Sequence, residues 1–319
     1  SDLNFGMYPR DQETCDYIAE HQKKHDFPHF ILVSTGKNQK EKIIKAINKL
    51  SSSIRLVMSV QSMDQEVLTN IKRDNISVDQ MMQLAPAIKD AKLLTRSEVI
   101  SGLPGDTYEI EINTLRDLVH AKMDEIQVHT CMLLDGSEMA TPAERKKWKF
   151  ITRFRVLQRD FAELSNGKKV VEVEEVVVGN DKMTIDEYIQ IRILAFIIYV
   201  TGRGIVYDPI LKLLREHEID IFDFYLRIKD SLDTAPELIQ DLFNRFEQSS
   251  RNELWNSKEE ILKYYQENKN YQKLLDGEDG INVMYHYLAE VTAENMDSWG
   301  DYILRIAKNL LQELKENSM

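Results

Sequence analysis

The strongest constraint on the fold is an alternation running through the first 135 residues. Short apolar runs that end in small polar residues are each followed by a stretch whose apolar residues recur at helical spacing. Pro28-His-Phe-Ile-Leu-Val-Ser-Thr35 reads as a strand, and residues 40–50, with Ile43, Ile44, Ile47 and Leu50 on one face, as a helix. Ile54-Arg-Leu-Val-Met-Ser-Val60 is a strand again, and residues 64–71 and 77–91 read as helices, the second capped by Ser77. Residues 95–103 form a strand, Asp106 or Thr107 caps a helix to about residue 121, and residues 125–134 return to strand spacing through Ile126, Val128, Thr130 and Met132. Strands separated by helices in this way predict a parallel sheet with right-handed crossovers, with strand ends near residues 5, 34, 60, 102 and 133.

After residue 134 the pattern changes. Arg153-Phe-Arg-Val-Leu157 and Lys169-Val-Val-Glu-Val-Glu-Glu-Val-Val-Val178 read as strands, and from Thr184 the sequence is helical almost to its end, anchored by aromatic residues such as Phe222, Phe246 and Trp255. The expected organisation is residues 1–150, a β-rich connection over 151–180 and a helical domain over 181–319. No apolar run approaches the roughly 20 residues of a membrane span. The formal net charge of −12 argues against binding a phosphate backbone, and the basic turn Arg145-Lys-Lys-Trp-Lys149 reads as a solvated helix face. Two cysteines make no disulfide framework and suit a reducing cytoplasm.

In parallel α/β folds the functional face lies at the carboxyl ends of the strands. Those positions here are small and polar: Asn4 and Gly6; Ser34, Thr35 and Gly36; Ser59, Gln61 and Ser62; Ser101, Gly102 and Gly105. Such residues could hydrogen-bond a polar cofactor, although strand ends need small turn residues in any case. In Gly102-Leu-Pro-Gly-Asp-Thr107 the Pro-Gly pair makes a tight turn before a helix, while the GxGxxG and P-loop lysine patterns are missing.

Taken with Ser34-Thr-Gly-Lys-Asn38, Ser59-Val-Gln-Ser-Met-Asp64, Asn70-Ile-Lys-Arg-Asp-Asn-Ile-Ser77 and Ser97-Glu-Val-Ile-Ser-Gly-Leu-Pro-Gly-Asp-Thr107, the chain resembles the radical S-adenosylmethionine (radical SAM) superfamily, and within it the cobalamin-associated branch. The resemblance covers roughly residues 1–200 well and the helical remainder loosely. It implies an α/β fold, a partial radical-SAM-type (β/α)6 barrel followed by a mainly α-helical C-terminal domain. It also implies a small-molecule or peptide substrate, S-adenosylmethionine cleaved reductively to a 5′-deoxyadenosyl radical, a four-iron four-sulfur (4Fe-4S) cluster, and possible use of cobalamin. Carried over by position, Asn4 and Gly6 fall where the family meets the methionine amino group, and Gln61 and Ser62 where it meets ribose or carboxylate. Arg73 falls near the methionine carboxylate, Ser101 and Gly102 beside the adenine, and Leu133 where backbone groups meet adenine. Ser34 ends the strand between them.

The cluster is the departure. The family's CxxxCxxC loop is missing, and Cys15 and Cys131 stand 116 residues apart with no third cysteine. Both read as small buried hydrophobes. The resemblance therefore implies that the cluster ligands, the first strand and any cobalamin-binding domain lie upstream of this stretch. His21, His25 and His29 are spaced by four, but Pro28 interrupts them and the surroundings read as a solvated surface. His129 and Cys131 fall on one side of a strand, too few ligands for a zinc site. The alternative to an enzyme portion is a degenerate, non-catalytic barrel acting as a partner-binding module. An ordinary βα-barrel enzyme using Glu98 and His129 as acid and base is a third reading.

Overall fold

A computed structural model describes residues 5–31, 33–36, 40–73, 88, 94–203 and 206–317. The expected site residue Asn4 and nearly all of the expected helix 77–91 lie outside the described residues. The chain divides into two units, Ser1–Val99 with Asn113–Gln127, and Ile100–Ile112 with Val128–Met319.

The first unit opens with α1 (Pro9–His25), which has proline at its first position, where no intrahelical N–H is lost. The buried Asp11 carboxylate accepts from the Gly6 and Tyr8 amides at 2.9 and 3.0 Å, tying the preceding loop to the helix start. Helix α2 (Lys40–Ile47) runs into a 3-10 turn over Asn48–Ser53, so the expected helix 40–50 tightens in its last turn. Strand β1 (Arg55–Val57), helix α3 (Gln65–Asn70), strand β2 (Leu94–Ser101), helix α4 (Tyr108–His120) and strand β3 (Glu125–Thr130) follow. The sheet order is β1-β2-β3, with β1 and β2 parallel and Val57 opposite Arg96.

Parallel bridges extend the pattern in chain order, Phe5 to Thr35, Ile31 to Ile54, and Gln61 to Val99. The expected strand 28–35 is thus present as isolated bridges. Cys15, Ile43, Ile47, Leu50, Leu56 and Met58 form the apolar core under α1 and α2, with Met7, Ile18 and Val33 packed against it.

The fold is therefore mixed α/β with a parallel sheet, in line with the alternation of the sequence.

The second unit is built on an antiparallel hairpin, β4 (Ile151–Glu163) and β5 (Lys169–Gly179), reached through the short helix α5 (Pro142–Trp148). The pairing shifts register between Val156 and Phe161, a bulge. The expected continuation of β3 holds at Cys131, whose amide donates to the Ser101 carbonyl of β2, but residues 131–133 also pair with β5: the Leu133 amide donates to the Glu175 carbonyl, and the Val177 amide donates to the Cys131 carbonyl.

Helix α6 (Ile185–Gly202) opens with a capping box in which Thr184 and Glu187 satisfy each other's amides. It is apolar all round and buried through most of its length, as expected of a central core helix. The helices α7 (Asp208–Glu216), α8 (Ile221–Asp230), α9 (Glu237–Asn252), α10 (Lys258–Gln266), α11 (Asn268–Leu275), α12 (Val283–Glu294) and α13 (Met296–Asn317) complete the unit. Phe196 of α6 stacks on Phe246 of α9 at 4.5 Å, and Phe243 stacks on the fully buried Trp299 at 5.5 Å. No helix among the described residues is long and apolar enough to cross a membrane.

Candidate functional site

In the first unit the two faces of the sheet differ in chemistry. Leu56 and Met58 point into the apolar core, while Ser59, Arg96 and Glu98 carry polar groups that bond to one another. Ser59 donates to Glu98 Oε2 at 2.7 Å, and Arg96 lies 2.8 Å from Glu98 Oε1. Arg96 also donates to Gln127 Oε1, and Gln127 donates to Glu125 Oε1 at 2.7 Å. A chain of side chains thus crosses the sheet from the end of β1 through β2 to β3. Arg96 Nε is buried and has no hydrogen-bond partner, and Glu125 Oε1 lies 4.0 Å from it.

Gln61 lies at the end of this row. Its backbone is in the left-handed region, φ +59°, uncommon for a residue with a side chain. Its amide and that of Val60 both donate to the Glu98 carbonyl, at 3.0 and 3.1 Å, and this pinches the strand end and turns Gln61. Its Oε1 is buried without a partner. A buried acceptor in that state loses its hydration with no return, which is the condition a ligand donor relieves. Arg73 reaches back and donates to the Ser59 carbonyl at 2.8 Å, and burial lowers its pKa. Ser62 is buried, and its Oγ accepts from the Asp64 amide while Asp64 caps α3. Gly6 is held at φ +93° against Ile43, and Ser34 is exposed with its carbonyl accepting from Phe5.

The expected residues of the second unit form their own cluster. Gly102, at φ +88°, donates its amide to both Asp106 Oδ2 and Glu111 Oε1, at 3.2 and 3.0 Å. Ser101 donates to Glu111 Oε1 at 2.5 Å. A Cβ on Gly102 would lie 2.8 Å from the Val177 carbonyl oxygen, so the close approach of β5 already accounts for this glycine. The Leu133 amide is committed to Glu175.

Asp106 and Glu111 are nearly bare of solvent and hydrogen-bonded to each other. Burial raises both carboxyl pKa values, that of Asp106 well above the ordinary range, and Glu111 pushes Asp106 further. Two carboxyls in such contact share a proton. The folded chain then holds a proton that the unfolded chain releases above about pH 4, so the pair lowers stability as pH rises from there. Glu111→Gln, which replaces the shared proton with amide donors, is expected to flatten this decline. Urea unfolding at pH 5 and pH 8 checks it: the loss on going to pH 8 should be smaller in the variant than in the parent chain.

Both thiols are pushed up by burial, Cys15 to about 11 and Cys131 to about 12. Among the described residues no group of three His, Cys, Asp or Glu side chains is placed to hold a metal. Glu98 is tied up with Ser59 and Arg96, and His129 is exposed. The polar row was only partly legible beforehand. Arg96, Glu125 and Gln127 interrupt strands otherwise read for their apolar residues, and charged side chains at period two on a buried sheet are the signal that marks them.

No family model matches the chain. Among curated proteins it is 25% identical over 245 residues to the cobalamin-dependent radical SAM methyltransferase TokK of Streptomyces tokunonensis, covering 75% of this chain. It is 24% identical over 244 residues to the 2-(S-pantetheinyl)-carbapenam-3-carboxylate methyltransferase of Streptantibioticus cattleyicolor, again covering 75% of this chain. The chain is a relative of the cobalamin-associated radical SAM enzymes. It spans 35% of the length of each of these two. Among solved structures, the radical SAM methyltransferase TsrM of Kitasatospora setae matches 56% of this chain and 39% of its own at 11% identity and a TM-score of 0.38. Elp3 of Methanocaldococcus infernus matches 34% of this chain and 26% of its own at 25% identity and a TM-score of 0.29.

Proposed function

We propose that the chain is the S-adenosylmethionine-contacting part of a cobalamin-dependent radical SAM methyltransferase. In this reading residues 1–150 form a partial barrel, 151–180 connect, and 181–319 form a helical domain. A cytoplasmic location and a small-molecule or peptide substrate belong to the same proposal.

The observation that carries it is Gln61: a strained backbone at a parallel strand end, turning a buried acceptor that lacks a donor. The amino group and ribose hydroxyls of S-adenosylmethionine are donors of the kind it lacks. The Arg73 guanidinium suits the methionine carboxylate. Gly6, Ser34 and Ser62 of the same unit are assigned supporting contacts, as is Asn4.

Bound S-adenosylmethionine supplies an activated methyl group and, on reductive cleavage, a 5′-deoxyadenosyl radical. The chain's own residues bind and orient it. The 4Fe-4S cluster does not fit this chain's thiols, which are two in number and both deeply buried, so its ligands belong to other residues of the enzyme. The cobalamin part of the proposal is supported by the relatives' names, and no residue here is assigned to it.

Isothermal titration with S-adenosylmethionine tests the reading. A hydrogen bond to a charged group contributes about 1.5–3 kcal/mol, so Gln61→Ala is expected to weaken binding by about ten- to a hundredfold. Arg73→Ala should weaken it similarly. An affinity unchanged in Gln61→Ala would remove Gln61 from the site. No binding by the parent chain would favour the partner-binding module.

A further inference from the structure

Helix α1 carries Tyr17, His21 and His25 at successive intervals of four, on one face. The Tyr17 and His21 rings stack with centroids 6.3 Å apart, and the His21 and His25 rings lie 4.5 Å apart. His25 is exposed and His21 half-buried, and this face takes no part in the apolar core beneath Cys15 and Ile18.

We infer that His21 and His25 form a surface site for a divalent transition-metal ion of imidazole preference, such as Cu2+ or Ni2+. Two histidines at i and i+4 on a helix present ring nitrogens to a common point, the spacing by which helical histidine pairs ligate zinc. The pair sits in the last two turns of α1, where the helix dipole is negative and favours a cation.

His29 does not complete the site. It is turned edge-on to Phe27 at 6.4 Å and lies 4.0 Å from Asp26 Oδ1. The ion therefore takes two protein nitrogens and keeps its other positions for water. The site is separate from the polar row on the sheet and does not depend on the proposed function.

Isothermal titration of Ni2+ into the full chain, with Cu2+ and electron paramagnetic resonance to count coordinated nitrogens, tests it. One equivalent should bind with two imidazole nitrogens. Loss of a partner outside the coordination sphere already costs about tenfold or more in metal affinity, so His21→Ala and His25→Ala should each cost at least that. His29→Ala should leave binding unchanged. Both variants place alanine in a helix, where it is the best-tolerated residue, so the fold is retained. Unchanged affinity in both variants, or an equal fall in His29→Ala, would overturn the site.

Discussion

Replacing Arg155 by alanine is expected to lower the unfolding free energy of the second unit by about 3–5 kcal/mol, the usual cost of removing one partner of a buried ion pair. Arg155 is 9% exposed on β4 and lies 2.5 Å from Glu174 of β5 and 3.4 Å from Glu253 beyond α9. Arg192 of α6 lies 2.9 Å from the same Glu253 and donates to Tyr188, whose hydroxyl also meets that of Thr130 at 2.7 Å. Burial works against the Arg155 charge, but Glu253, Tyr188 and Glu174 outweigh it and raise its pKa. Removing the guanidinium leaves Glu174 unpaired and Glu253 with Arg192 alone. Guanidinium chloride unfolding followed by circular dichroism measures the loss. Replacing Arg155 and Glu174 together by apolar residues should cost less than Arg155→Ala. An equal cost in both would show that packing around Arg155, and not its charge, carries the effect.

Gly102→Ala is expected to cost about 2–5 kcal/mol, combining about 1–2 for a side chain at left-handed φ with about 1–3 for overpacking. The added methyl meets a backbone carbonyl, that of Val177, which cannot swing aside as a side-chain end could. The strand would have to shift, and with it the Gly102 amide that holds Asp106 and Glu111. Gly136→Ala is the control. That glycine also has positive φ but meets nothing within 4 Å, so only the backbone term should appear. Equal losses in the two variants would show that the Val177 contact carries no weight.

Elements with strong local signals were legible in the sequence. Thr184 caps α6 as its spacing to Glu187 requires, and the helix after Thr107 runs from Tyr108 to His120. Cys15 and Cys131 are buried, as expected of free cysteines in a core. Features set by tertiary pairing were not legible. Residues 131–133 carry strand periodicity, but their antiparallel pairing with β5 leaves no mark in it, because alternation fixes a face and not a neighbour. The bulge between Val156 and Phe161 leaves no mark in an apolar pattern. Glu111 sits on the buried face of its helix, where the carboxyl of Asp106, the hydroxyl of Ser101 and the amide of Gly102 make it tolerable. The small polar residues at the strand ends drew attention to Gln61, but its missing donor is a property of three-dimensional burial.

In the proposed function the strand end at Gln61 holds S-adenosylmethionine. Amide chemical-shift mapping of the labelled chain during titration with S-adenosylhomocysteine, which needs no cluster, tests it most directly. The expected result is a saturable set of shifts centred on Gln61, Ser62 and the Gln61 side-chain amide, with saturation moved to about ten- to a hundredfold higher ligand in Gln61→Ala. Saturable shifts that leave these residues unmoved, or no shifts at millimolar ligand, would contradict it.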